Sequence, residues 1–454
     1  MSPLRPCKVI ISGGGVAGLT LAVALDKIGV DYQLLEAYPD IAPKVGGGIC
    51  FLPNALTIFD QLGFYEDLTT ICPPLSNFGF RDPNGDLLSS SDNNWDPVSL
   101  CKERYGYAFQ WMERSALLRV MYNHLSDKSK VLTGKRIKSV ENSEDGAVVT
   151  TTDGSVFFGD MVIGTDGVHS SVRKAIVRQA KERGLGSEYM EEDNVTSDFA
   201  CIYGVSPKLG GMPENCLEFR FNRGSSTLIG NGPPDRTFWF FYKQLDRTYR
   251  GTEIPRFSEA DLEKVVREHW DEYITTDIQL STLYETRTEA LYTSMQEFVF
   301  SKWDLDRMLI LGDAAHQMTS ILAQGGAQAV ESIACFANSL KKVLSDVSKT
   351  GRLSAREIHD MFQQIQDMRL PRVRAMLESS NKRQCMDAMV TSELEDLMLN
   401  KFPKLVPGII VERWDETFEQ SVFLDMFPVP ETLKASWLYC QSHERKTELM
   451  RSSL

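Results

Sequence analysis

The stretch from Lys8 to Glu36 constrains this chain more than any other. Lys8 to Ser12 is a short apolar strand. It runs directly into Gly13-Gly14-Gly15-Val16-Ala17-Gly18, and the apolar pattern from Leu19 to Ile28 reads as a helix. This is G-x-G-x-x-G between a strand and a helix, the context that gives the motif its meaning. Gly13 permits the tight turn and Gly15 lets the backbone approach a pyrophosphate. Gly18 lets the helix pack closely on the strand, and Val16 and Ala17 open its first turn. Phosphates at that turn would meet free N–H groups and the positive end of the helix dipole. A second strand, Tyr32 to Leu35, ends at Glu36, whose carboxylate can accept both hydroxyls of a ribose.

That unit begins a Rossmann-like α/β fold, but alone it suits NAD and FAD equally. Two later segments separate them. Gly164-Thr165-Asp166-Gly167-Val168-His169-Ser170 follows the apolar strand Met161 to Ile163. Leu309-Ile310-Leu311-Gly312-Asp313-Ala314-Ala315-His316 is another buried strand ending in Gly-Asp. Gln324-Gly325-Gly326-Ala327 then opens a helix. An Asp at a strand end can hold a ribityl hydroxyl, and a Gly-Gly helix start turns backbone N–H groups toward a flavin ring or phosphate.

With these three fingerprints in order, the chain resembles the class A FAD-dependent monooxygenases, the aromatic-hydroxylase-like family, over most of residues 7–345. Finer details are similar to its fungal secondary-metabolite branch, which includes paxilline-type indole-diterpene epoxidases and meroterpenoid epoxidases. They are Val45-Gly46-Gly47-Gly48-Ile49 before Leu52-Pro53-Asn54, Glu113-Arg114-Ser115-Ala116-Leu117-Leu118, Phe238-Trp239-Phe240-Phe241 and Phe427-Pro428-Val429-Pro430. The family reads G-D-A-x-H-x-x-x-P-x-x-G-Q-G after its third strand. Here Ser320 takes the place of the Pro and Ala323 that of the first Gly. Ala327 stands where Asn is common.

The resemblance implies a glutathione-reductase-type, Rossmann-like FAD-binding domain of residues 1–72, 101–185 and 287–350. A β-rich substrate domain, 73–100 and 186–286, is inserted in it, and a C-terminal helical region, 351–454, follows. It implies that NADPH or NADH binds transiently and reduces FAD. Reduced FAD then takes up O2 as a C4a-hydroperoxide, whose distal oxygen passes to an electron-rich carbon. The cofactor does the hard chemistry and the protein orients and excludes water. Glu36 would bind the adenosine ribose and Arg114 the phosphate or ribityl region. Asp313 would hold the ribityl or pyrophosphate end. Gly46, Gly47 and Gly48 would form a permissive loop against the ring, and Asp166 would serve structure and docking together. Gly325, Gly326 and Ala327 complete the set. Tyr203 and Arg220, on strands of the second domain, are the candidates for an acid beside the reacting oxygen.

Composition agrees. Sixty-two acids against 49 bases give a net charge of −13, a poor basis for gripping nucleic acid. Nine cysteines with no C-x-x-C spacing fit reduced thiols and a cytoplasmic protein better than a disulfide framework or a zinc site. The six histidines show no metal-ligand pattern, and no stretch approaches the ~18 apolar residues of a membrane helix. Residues 50–71 read as a helix, 131–163 and 199–245 as strands, and 355 onward as mainly helical. Arg369, Arg372 and Arg374 read as a solvated face or a helix–domain contact.

The expected reaction is epoxidation or hydroxylation of a bulky hydrophobic natural product: a prenylated indole alkaloid, an indole diterpene or a meroterpenoid. Hydroxylation of a phenol is the near alternative. From another class, a non-catalytic prenyl-protein escort or GDP-dissociation-inhibitor-like binder shares the fold. A flavin halogenase would need W-x-W-x-I-P, which the sequence lacks.

Overall fold

A computed structural model describes residues 5–43, 47–90, 96–143, 145–189, 194–233, 235–346 and 348–441. The buried strand Lys8–Ser12 lies at the middle of a six-stranded sheet. Asp31–Leu35 pairs with it on one side and Met161–Gly164 on the other, both parallel to it. Val131–Leu132 and Met308–Ile310 extend the sheet in parallel, and Asp304–Leu305 closes it as an antiparallel edge. Fully buried Val9, Ile10 and Ile11 explain the unbroken apolar run, because this sheet is covered on both faces.

The helix Val16–Ile28 leaves the sheet straight after Gly15 and stops at Gly29, which takes a left-handed φ of 73°. It packs against the 21-residue helix Gln324–Leu344. That helix in turn meets the 33-residue helix Ala355–Asp387, which starts with a Ser354–Glu357 capping box.

A second, seven-stranded sheet runs in the order Glu289–Ser294, Thr196–Pro207, Arg236–Arg250, Ser225–Gly232, Cys216–Asn222, Asn77–Arg81 and Leu87–Ser90. One face carries Ile202, Ile229, Trp239 and Phe241, sealed by the helices Glu259–Glu268 and Leu280–Thr286. The other face carries Tyr203, Leu228, Phe238, Phe240 and Tyr242 toward the first sheet's helices. The period-two alternation of a strand splits the aromatic run at 238–242 between the two faces.

Two expectations change. Residues 50–71 are not one helix: Gly48–Phe51 is a strand, and Pro53–Gln61 and Tyr65–Ile71 are separate helices divided at Gly63, whose φ is 82°. The strand Glu289–Ser294, expected with the flavin-binding segment, pairs with Thr196–Pro207 in the second sheet. All nine cysteines are free thiols. Among the described residues no helix is long and apolar enough to cross a membrane, and no His, Cys, Asp and Glu cluster suits a metal ion.

Candidate active site

A continuous cavity of about 900 Å³ runs from the Gly13–Ala17 turn to the helices at the far edge of the second sheet. At the turn, Gly13 has a φ of 97°, and a Cβ there would fall 2.8 Å from Asp166 Cα. A Cβ on Gly18 would sit 1.9 Å from the Gly13 carbonyl oxygen, so only glycine lets the helix approach so closely. Gly15, Val16 and Ala17 line the cavity, whereas Gly18 is packed behind them. Gly15 caps the helix without any side-chain hydrogen bond, so the first-turn N–H groups face the cavity uncapped.

Glu36 is fixed at the same mouth. Its Oε2 accepts from Gly14 N at 2.5 Å and its Oε1 from Tyr38 N at 2.7 Å. Arg114 reaches in from the first turn of the helix Arg114–Asn123, with its guanidinium 3.6 Å from where a Gly15 Cβ would lie. No side chain among the described residues hydrogen-bonds or ion-pairs with it. Burial lowers its pKa, and the charges of Glu36 and Asp313 oppose that shift. Asp313 follows Gly312, whose φ is 63°, and its side chain is exposed, opening onto the cavity. Desolvation by the surrounding protein pushes its carboxyl up to about 6, with Arg114 pulling the other way.

The helix Gln324–Leu344 presents a second uncapped N-terminus to the cavity, where Gly325 and Gly326 line it. Its N-cap is Ala323, held at φ 53° and ψ 26° in the left-handed region. Ala327 is fully buried one turn on and does not reach the cavity. Gly48 lines the cavity, and a Cβ there would lie 2.9 Å from the Trp111 indole. A Cβ on Gly47 would lie 3.8 Å from the Phe240 ring. Gly46 lies outside the described residues. Asp166 borders the cavity, but its Oδ1 accepts from Ser170 Oγ and its Oδ2 from Ser171 N, so it anchors the start of the helix Ser171–Glu182.

These features fit FAD. Two uncapped helix starts, a glycine turn too tight for side chains, an unpaired guanidinium and a fixed carboxylate converge on one cavity. Gly13 to Ala17 would hold the pyrophosphate, Glu36 the adenosine ribose and Arg114 a phosphate or the ribityl chain. Asp313 would hold a ribityl hydroxyl, and Gly48, Gly325 and Gly326 would border the ring.

The two candidate acids part company. Tyr203 lines the cavity, and its hydroxyl donates to Met295 Sδ at 3.1 Å. Burial raises its pKa, so it remains a neutral hydrogen-bond donor. Arg220 does not reach the cavity. Its guanidinium donates to Glu272 Oε2 at 2.8 Å and to the Pro83 carbonyl at 2.7 Å. The reason is strand parity: Phe219 faces the cavity, so Arg220 must face away.

The cavity wall beyond Tyr203 is a single row across six strands. Leu291, Tyr203, Phe240, Leu228, Phe219 and Phe80 are paired directly, each with the next. Trp111, Phe109 and Trp414 face this row, and Arg383 closes the far end. None of these four was foreseen; the alternating pattern at 217–221 was the one signal that could have placed Phe219. Arg369 and Arg372 are buried against Glu331 at 2.8 and 2.7 Å, a helix–helix contact, and Arg374 is exposed.

A family model described as an FAD binding domain matches residues 6–367. The FAD-dependent monooxygenase cle3 of Aspergillus versicolor is 36% identical over 82% of this chain and 75% of its own length. The FAD-dependent monooxygenase olcE of Penicillium canescens is 30% identical over 97% of this chain and 93% of its own. Two further fungal relatives are longer, and the chain spans about half of each. Klebsiella pneumoniae HpxO, solved with FAD and uric acid, superposes with a TM-score of 0.72. It covers 91% of this chain and 97% of its own at 21% identity, a likeness of fold.

Proposed function

Because this chain belongs to the FAD-dependent monooxygenases built on that FAD-binding domain, we propose that it adds one oxygen atom of O2 to a bulky hydrophobic natural product. NADPH or NADH supplies the electrons. When bound and reduced, FAD supplies the activated oxygen. The protein's part is to bind, orient and keep water out.

The observation that carries this reading is the row from Leu291 to Phe80. It presents five apolar side chains and one phenol to the cavity. Such a wall offers a large apolar area and little hydrogen bonding, which suits a terpenoid or prenylated body rather than a small polar aromatic. Prenylated indoles, indole diterpenes and meroterpenoids have that character, and their alkenes or indole double bonds are the electron-rich carbons to be epoxidised or hydroxylated. Tyr203 is the neutral donor closest in kind to what a departing hydroxide needs. Arg220 plays no part in this proposal.

The test is direct. Purified protein loaded with FAD is given NAD(P)H and a panel of prenylated indoles and farnesylated phenols, and products are read by mass. One added oxygen with substrate-stimulated NAD(P)H oxidation is expected. A protein that takes up no flavin would overturn the reading. Asp313→Ala should lower flavin content while the far-ultraviolet circular dichroism stays that of the parent; unchanged content would remove Asp313 from the site.

A further inference from the structure

Arg383 sits in the last turn of the helix Ala355–Asp387 and lines the aromatic end of the cavity. It is only 6% exposed. Its Nε donates to Asp387 Oδ1 at 2.6 Å; among the described residues its Nη2 is buried without a partner and its Nη1 makes no hydrogen bond. Asp387 Oδ2 has none among them either. The guanidinium carbon lies 5.3 Å from the Phe219 ring centre and 5.6 Å from that of Phe402, so an aromatic surround holds it in place.

Two other buried arginines of the same helix make the contrast. Arg369 engages Ser332, Glu331 and Gln328, and Arg372 engages Glu331 and the Thr417 carbonyl. Both guanidiniums are bound on more than one nitrogen by protein. A buried N–H with no acceptor is costly to keep. Arg383 keeps one while its side chain lines the cavity, and no other charged side chain among the described residues lines that aromatic end. Arg413, on the neighbouring helix Gly408–Glu419, adds a second positive charge near Asp387. The two guanidiniums flank one carboxylate, with Glu412 and Glu416 also acting on Arg413.

We propose that Arg383 reads the far end of the substrate by donating to a carbonyl or carboxylate oxygen on an otherwise hydrophobic body. Asp387 is a positioning residue that fixes the guanidinium. This rests on the monooxygenase reading and adds a polar handle to it. The row across the sheet gives the handle's distance. Phe219 lies three strands from Tyr203, and at ~4.8 Å per strand the oxygen would be held roughly 14 Å from the Tyr203 end. The same enzyme would thus measure its substrate between a reacting carbon and a remote acceptor.

The experiment uses the FAD-loaded full chain and three matched probes: 4-hexylbenzoate, its methyl ester and 4-hexyltoluene. Binding is read from the perturbation of flavin absorbance. The parent should bind the acid, the ester or both at least tenfold more tightly than the hydrocarbon. The acid-to-ester ratio tells whether a carboxylate or a carbonyl is preferred. In Arg383→Met the gap should shrink to under threefold, with flavin content unchanged. Arg383→Lys should keep an intermediate gap, and it decides the matter if the Met variant fails to fold. A parent that does not discriminate, or binds none of the three, overturns the proposal, as does a gap that survives in both variants. Failure of the monooxygenase reading shows separately, as a parent that takes up no flavin.

Discussion

The Tyr242 hydroxyl lies 2.8 Å from Ser320 Oγ. This bond ties the second sheet to the segment that leads into the helix Gln324–Leu344. Tyr242 is fully buried, and Ser320 is its partner where the family carries proline. Ser320→Ala should destabilise the protein by about 1–3 kcal/mol, since it strands a buried hydroxyl. Adding Tyr242→Phe removes the stranded group, so the double variant should be no less stable than Ser320→Ala alone. Urea unfolding of the three variants checks this.

Ala323 predicts a gain. An L-residue in the left-handed region costs about 1–2 kcal/mol, and glycine escapes that cost. Ala323→Gly should stabilise the protein by about 1 kcal/mol, seen as a higher midpoint in thermal unfolding. An unchanged or lower midpoint would show that the alanine is accommodated without strain.

Gly18 and Gly15 should separate fold from cofactor. Gly18→Ala drives a methyl into the Gly13 carbonyl, so both stability and flavin content should fall. Among the described residues the nearest atom beyond its own neighbours to a methyl on Gly15 is Arg114 Nη2 at 3.6 Å, so Gly15→Ala should keep the parent's midpoint without cofactor. It should lose flavin, because the methyl occupies the backbone's approach to the pyrophosphate. Visible-to-ultraviolet absorbance ratios and melting curves provide the two readings.

Glu297 sets a pH dependence. It is buried, its Oε2 accepts from Asn381 Nδ2 at 2.7 Å, and its Oε1 has no partner among the described residues. Burial pushes its carboxyl up from 4.5 to about 7, against the pull of that bond and with the charge of Asp198 adding to the rise. The folded state therefore holds a proton that the unfolded state has released, and stability falls as pH climbs from about 4.5 to 7. At about 1.4 kcal/mol per pKa unit the ceiling is about 3 kcal/mol. Glu297→Gln should match the parent near pH 4 and exceed it by about 1–3 kcal/mol at pH 8. Denaturant unfolding at the two pH values decides it.

What could be read in advance was local. The strand, turn and helix at 8–28 follow from a short apolar run and from glycine sterics, which need no knowledge of distant residues. The alternation Leu217, Glu218, Phe219, Arg220, Phe221 likewise shows that Arg220 shares a face with Glu218 and not with Phe219. Which face meets the cavity depends on packing elsewhere, and that is why Arg220 was misplaced as a candidate acid. Arg383 and Asp387 stand four apart on a helix, a spacing that in sequence is indistinguishable from an exposed ion pair. Its burial, with Phe219 and Phe402 packed beside it, depends on elements far away in the chain. Arg369 and Arg372 share one helical face by their spacing of three, but Glu331, 38 residues from the nearer one, decides that this face is interior.

The row from Leu291 to Phe80 also bears on how such a pocket can change. Its rungs are fixed by backbone pairing, so exchanging one side chain alters the cavity at one depth and leaves its neighbours where they were. Enlarging Leu228 would shorten the available space near its middle, and trimming Phe80 would lengthen it at the end. A lineage could therefore retune which molecule it accepts, one step at a time, without disturbing the glycine turn that holds the cofactor.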